Sequence, residues 1–464
     1  MSKFDDIKIP DNIDEVTKMA INRGKTYNKN RKYKKVMIAS AVTIAIGTSV
    51  ISIGIMNPSL ADSIPILRNV VEYFNTNNES LYKSDKNDLE KTVSNLNLTT
   101  KDNGIELIIN SISIDDNYIT ILHTVKSNKK IEEMSEFYKD AYFANPIVDA
   151  YIDGNSIIPP GIIEHEATYT SDYELKGMRK IDVSNIDIRD NAEIEFCIDE
   201  IFGVKGNWNI KAKIDKSKSS EKTHKYNIDK DYTINNTYYY NGEKIDINHN
   251  INIEKIIISP LASKMVIKEK QTKSFDDWEP MLGNGFALFD EKGNSLDVID
   301  KGFNGYDPIT KIATNSIEFI KASEGIKSLT LVPLASKEIE NKILEPKNIN
   351  KLPITFKVSE YGKLVVVDVK ITDKDIEYTY YKDGVVPNYP GFWFYDENGK
   401  EVSVSASIKE SLDRSTGMYT TILNLEGNNN DISQIRKIKQ ISTFSQADMK
   451  LVYDQQIKID LEKD

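Results

Sequence analysis

The chain has 464 residues, too many for one ordinary domain, so about three domains are expected. It is 39% hydrophobic and 28% charged, which argues against wholesale disorder. Its net charge of −11 argues against nucleic-acid binding, and a single cysteine, Cys197, excludes an internal disulfide framework.

Residues 1–35 carry ten Lys or Arg against five Asp or Glu, a net of +5, which leaves −16 for the rest. Within this segment Pro10, Asp11 and Asn12 form a helix start signal, and Asp14 and Glu15 sit where the helix dipole favours acids. Ile13, Val16 and Ala20 fall on one face with Met19 beside them, Ile21 follows, and Gly24 closes the segment. So short a helix is marginal alone in water and gains stability only by laying this stripe on a partner or a membrane surface. The plainer alternative is a tail whose cations merely set orientation.

Val36–Met56 is a run of 21 uncharged residues rich in Ile, Val and Ala. As a helix it would be about 31 Å long, which matches a bilayer core. Lys29, Arg31, Lys32, Lys34 and Lys35 precede it, so the positive-inside rule predicts a cytoplasmic N-terminus and an exterior beginning after Asn57. Ser59-Leu60-Ala61 could serve as a signal-peptidase site. The long leader and long apolar run favour an uncleaved anchor instead.

Residues 57–100 read as an amphipathic segment, with Ile64, Leu67, Val70, Val71 and Phe74 apolar, followed by a polar stalk. A short helix around 89–96 fits there, and the stalk tip is the natural point of protease access.

From Ile105 onward the pattern is β. Ile105–Ile109 and Tyr118–Leu122 flank a turn at Asp115-Asp116-Asn117. Three segments then resemble one another: Asp149–Ile157, Ala287–Leu296 and Trp393–Val402. Each is an aromatic-bearing strand, a turn with Asp and Gly, and a returning strand, which is hairpin chemistry. Paired runs precede each one, such as Ile253–Ile258 with Met265–Ile267, and Leu364–Val369 with Ile376–Tyr380. Others follow: Ile194–Phe196 with Trp208–Ile214, Ser328–Val332, and Met418–Leu425 with Lys450–Leu461. The expected fold is mainly β, with three tandem immunoglobulin-like sandwiches at 101–216, 224–345 and 351–464, behind one transmembrane helix and a short cytoplasmic helix.

No catalytic constellation is present. GxSxG, HExxH and the phosphate-binding loop are missing, and Ser80-Leu81-Tyr82-Lys83 matches SxxK only by chance. His123, His165, His224 and His249 lack metal-ligand spacing. Asp115-Asp116, Asp153 and Asp276-Asp277 lack a DxDxDG calcium loop and read as solvated turn residues. Trp208 and Trp393 read as core anchors, while Trp278 and Tyr238-Tyr239-Tyr240 are aromatics that could meet a ligand. Cys197 reads as a small buried apolar residue. No enzyme, cofactor or metal is expected.

Several segments carry a resemblance: Ile9-Pro10-Asp11, Ile21-Asn22-Arg23-Gly24-Lys25, Asn57–Pro65, Gly104–Asn117, Gly206–Lys213 and Ile258-Ser259-Pro260-Leu261. Their order resembles Firmicute single-pass membrane proteins bearing the domain of unknown function numbered 4179, often with a second numbered 5643. Members are regarded as probable anti-sigma factors. The resemblance implies that Ile13, Val16, Met19, Ala20 and Ile21 would hold an extracytoplasmic-function sigma factor, and that the exterior would sense an envelope signal. Proteolysis in the stalk and membrane would release the inhibitor. The tail lacks a His…Cys-x-x-Cys zinc site, so it would bind as a short helix in a groove. A surface binding or adhesion protein, with the tail purely topogenic, is the alternative.

Overall fold

The computed structural model describes residues 82–83, 93–134, 146, 149–157, 164–240, 243–260, 262–270, 285–320, 326–388, 390–413, 416–426 and 428–461. The expected tail helix, the Val36–Met56 span, the topogenic cations, Trp278 and most of the stalk lie outside them. No helix among the described residues is long and apolar enough to cross a membrane.

What is described is mainly β. After β1 (Tyr82–Lys83), a first unit contains β2 (Val93–Asp102), β3 (Ile105–Ile114), β4 (Tyr118–Ser127), β5 (Ala150–Ile152), β6 (Asn155–Ser156), β7 (Glu164–Ser171), β8 (Glu174–Asp182), β9 (Asn191–Phe196), β10 (Glu200–Ile201), β11 (Val204–Lys205) and β12 (Ile210–Asp215). One sheet runs β2-β3-β4-β8-β7 and another β12-β9-β5-β6. Alternation makes the core between them. Ile210, Ala212 and Ile214 point inward from β12 while Lys211, Lys213 and Asp215 face water. They meet Leu107, Ile109, Ile112, Ile121 and Trp208 in one buried cluster. Each aliphatic side chain buried there stabilises by about 1.5–3 kcal/mol.

The short helix expected around 89–96 is replaced over its second half by β2. The sequence Leu96-Asn97-Leu98 explains this. Asn97 takes φ 44° at a bulge where the pairing shifts between Asn95 and Leu98, and both leucines pack against the core.

The second unit has β13 (His224–Tyr240), β14 (Glu243–Ile258), β15 (Ser263–Lys270), β16 (Phe286–Phe289), β17 (Ser295–Leu296), β18 (Val298–Asp307), β19 (Ile312–Phe319) and β20 (Ser328–Ser336). Then come β21 (Lys347–Asn348), β22 (Ile354–Lys357), β23 (Gly362–Ile371), β24 (Asp375–Gly384), β25 (Phe392–Tyr395), β26 (Glu401–Val402), β27 (Ser407–Asp413), β28 (Met418–Asn424), β29 (Gln440–Thr443), β30 (Met449–Leu451) and β31 (Ile457–Asp460). The sheet order of the first unit recurs. β13-β14-β15-β19-β18 and β22-β23-β24-β28-β27 match the larger sheet, while β20-β16-β17 and β21-β29-β25-β26 match the smaller. The third unit's larger sheet has a sixth strand, because β1 pairs parallel with β27.

The three hairpins form as the sequence predicts. Asp153 and Gly154 both take positive φ in a two-residue turn, which only Gly and short polar residues tolerate well. The other two share a longer loop. Asp290 accepts backbone N–H bonds from Lys292 and Asn294, and Asp396 does the same from Asn398 and Lys400.

One strand assignment changes. Residues 450–461 were expected to complete the third sandwich. Instead β31 pairs with the first half of β20 and β30 with its second half. Ile457, Ile459 and Leu461 are buried in the second unit's core. In the first unit β9 is followed by β12, which pairs with it. After β20 the chain instead gives β21 to the third unit, and it returns to fill the vacant edge only at its far end. The second and third units have thus exchanged their last strands, which local periodicity cannot reveal.

Candidate functional site

The tail residues singled out by sequence lie outside the described residues. Within them, charge is concentrated at two joints between β units. The Asp115-Asp116-Asn117 turn is the centre of the first. It was read as solvated, and that reading fails, because all three residues are buried and the turn is hydrogen-bonded to the second unit. Asp115 Oδ1 accepts the N–H groups of Asn117 and Tyr118 at 2.8 Å, which closes the turn. Asp115 Oδ2 accepts the Ser259 hydroxyl at 2.6 Å. Asn117 Nδ2 donates to Ser259 Oγ at 2.8 Å and to the Ala262 carbonyl at 3.0 Å. Asp116 pairs with buried Lys216 and with Lys225 at 2.7 Å.

Beside this turn, the Lys264 ammonium, buried with its whole residue, pairs with Asp182 at 2.5 Å. Ser316 and Ser184 also donate hydroxyls to Asp182. The Tyr118 ring has Lys180 Nζ at 3.8 Å and Lys264 Nζ at 3.9 Å from its centroid, and its hydroxyl donates to Glu318. Burial opposes ionisation of Asp182. The Lys264 charge and the hydrogen bonds from Lys264 and Ser184 outweigh it and hold the carboxyl below its ordinary range.

The second joint uses the same chemistry with other residues. Asp297 accepts from Lys382 Nζ at 2.9 Å and from the Tyr419 hydroxyl at 2.6 Å. Ala287, Val332, Leu334, Val385, Met449 and Leu451 also make an apolar cluster drawn from both units. Sequence reasoning missed Lys264, Asp182, Asp297 and Lys382. The available signal was a lysine inside Ser263-Lys264-Met265-Val266-Ile267, a run buried on both faces, where an unpaired charge would be untenable.

A third polar cluster lies on the β13–β14 hairpin. Buried His249 bonds through Nδ1 to Glu269 at 2.5 Å and through Nε2 to the Tyr238 hydroxyl at 2.8 Å. Asn236 donates to Tyr238 at 3.2 Å and to the Leu334 carbonyl at 2.9 Å. With Nδ1 donating to Glu269, Nε2 is placed to accept the Tyr238 hydroxyl, which in turn accepts from Asn236. Tyr238 is therefore part of a structural network. Of the tryptophans, Trp208 is fully buried and donates to the Ile105 carbonyl at 2.9 Å, as expected of a core anchor. Trp393 is only half-buried and stands edge-on to Phe444 at 4.3 Å.

No cluster of three or more His, Cys, Asp or Glu side chains able to hold a metal occurs among the described residues. Cys197 is half-buried, and burial, with Glu195 beside it, pushes the thiol up to about 11. At pH 8 its thiolate fraction is roughly a hundredfold below that of an ordinary thiol, partly offset by greater nucleophilicity. Iodoacetamide is expected to modify Cys197 about tenfold more slowly than a free cysteine peptide. Labelling at the peptide's rate would show that the thiol is accessible and activated.

The comparisons with known proteins add two domain matches, each to one region of the chain. Among curated proteins nothing matches. A crystal structure of a conserved domain protein from Bacillus anthracis is 18% identical over 57% of this chain and 84% of that chain, with a TM-score of 0.35. The N-terminal eight Ig domains of Down syndrome cell adhesion molecule align at 8% identity over 79% of this chain and 47% of that chain, with a TM-score of 0.13. Residues 28–127 match the domain of unknown function DUF4179, and residues 229–358 match the family of unknown function DUF5643, so the chain carries both of these domains.

Proposed function

We propose that the protein is a membrane-anchored, anti-sigma-factor-like regulator. Its tail would hold an extracytoplasmic-function sigma factor, and its β units, read as immunoglobulin-like sandwiches, would stand outside the cell. The observation that carries this reading is the layout of residues 28–127. One family match there spans the end of the +5 tail, the uncharged run Val36–Met56, the stalk and the strands β2 to β4. An uncharged run long enough for a membrane span and the first strands of a β unit thus fall within one family match. The charge partition, +5 before the run and −16 after it, suits a basic tail at an acidic inner leaflet. Buried ion pairs join neighbouring β units, as a sensing exterior built to act as one body would require.

The test is the double substitution Ile13→Asp/Val16→Asp in the full-length protein. Two apolar anchors at a helix-in-groove contact contribute roughly 4 kcal/mol together, about a thousandfold in affinity. Transcription from the cognate sigma factor's promoters is expected to rise while membrane fractionation stays unchanged. Unaltered transcription would leave the tail topogenic and move the activity to the β units as a surface-binding protein.

A further inference from the structure

The sixth strand breaks the threefold repeat. Strands β7, β18 and β27 occupy the same outer edge in the three units, and among the described residues no strand lies beyond β7 or β18. Among these residues only β27 carries an added strand. That strand is β1, with Tyr82 opposite Leu412 and Lys83 opposite Asp413, running parallel. The chain therefore pairs with its third unit before nine residues lead it to β2 and the first.

From this pairing we infer that the β27 edge is a clasp for the segment between the expected membrane span and the β units. The occupant is this chain's own β1. A strand edge offers a row of unpaired N–H and C=O groups, and it binds extended peptide through the main chain with little regard to side chains. A peptide held this way has one side of its backbone occupied, so it cannot lie extended in a protease cleft. Among the described residues two pairs hold β1 on this edge. The inference rests on the proposed regulatory reading only for its consequence, which is control over cleavage of the segment. The pairing itself is independent of that reading.

The experiment uses the full-length chain with Cys197→Ala as background. Adding Lys83→Cys and Asp413→Cys places two thiols on directly opposed residues, with strands about 4.8 Å apart and within disulfide reach. The control replaces Asp413→Cys by Ser407→Cys, six residues up the same strand and roughly 20 Å away. After mild oxidation in membranes and proteolysis, the linked peptide is expected at least about tenfold more often in the first pair than in the control. Equal yields, or none in the first pair, would overturn the clasp. A benzophenone amino acid at position 82 checks the same contact without cysteines, and crosslinking outside 407–413 would likewise overturn it. With the disulfide closed, protease cutting of the segment and induction of the sigma-dependent promoter are both expected to fall. A disulfide that forms and blocks cutting while leaving induction unchanged would keep the clasp and remove the regulatory reading.

Discussion

A fragment of residues 224–345 is expected to remain unfolded, whereas 224–464 folds, because the second β unit lacks an edge strand until the chain returns at its far end. β31 sets Ile459 opposite Leu329 and Ile457 opposite Leu331. It brings Ile457, Ile459 and Leu461 into a core with Leu329, Leu331, Phe286 and Phe319. Burying three aliphatic side chains contributes about 5–9 kcal/mol. Their loss also strips β20 of its ladder partner and exposes a flat apolar edge. Small domains are stable by only about 5–15 kcal/mol, so the deletion removes most or all of the margin. A synthetic peptide of residues 447–464, added in trans, is expected to restore a cooperative thermal transition and a far-ultraviolet strand signal. A 224–345 fragment that already melts cooperatively would show that β31 is dispensable and that the exchange is a surface detail. The same linkage predicts that the second and third units melt together in the full chain, since β30, β31 and the shared apolar cluster must all be undone at once.

Which parts were legible in the sequence follows from the range of the interactions. The hairpin at Asp153-Gly154 was readable because its turn depends on two residues with positive φ. The repeat was readable because the three hairpins recur with their flanking runs. Ile457, Ile459 and Leu461 announce a strand by their alternation, yet nothing in that alternation names β20 as the partner, more than a hundred residues earlier. Residues 93–96 were expected to end a short helix, but they pair in the hairpin of β2 with β3, whose turn at Asn103-Gly104 went unread. Asp115 and Asp116 were misjudged for another reason. Their turn chemistry was read correctly, but their burial is imposed by Ser259, Lys216 and Lys225 from elsewhere in the chain. Tyr238 likewise belongs to a network whose other members, His249 and Glu269, sit on different strands. Apart from the β2–β3 hairpin, the missing information was the identity of a distant neighbour.

The charged joint between the first and second units leads to the second large effect. Lys264→Met is expected to weaken that joint by about 3–5 kcal/mol, because it strands the Asp182 carboxylate among buried neighbours. Asp182→Asn strands the opposite charge, leaving Lys264 buried beside Tyr118. The double variant Lys264→Met/Asp182→Asn should recover much of either loss, since no uncompensated ion of the pair remains. In calorimetry the single variants are expected to split off the first unit as an earlier transition, and the double variant to merge it again. Acid supplies an independent check. The folded carboxyl of Asp182 titrates below its ordinary range, so its contribution is fully present above the unfolded value of about 4. It disappears as pH falls through the folded value, when the proton goes on in both states. The native joint should therefore loosen in that acid window, and Lys264→Met, having lost the lysine that depresses the carboxyl, should show a smaller slope there. Equal acid slopes in the two proteins would mean that the Asp182–Lys264 pair does not govern the joint's response to acid.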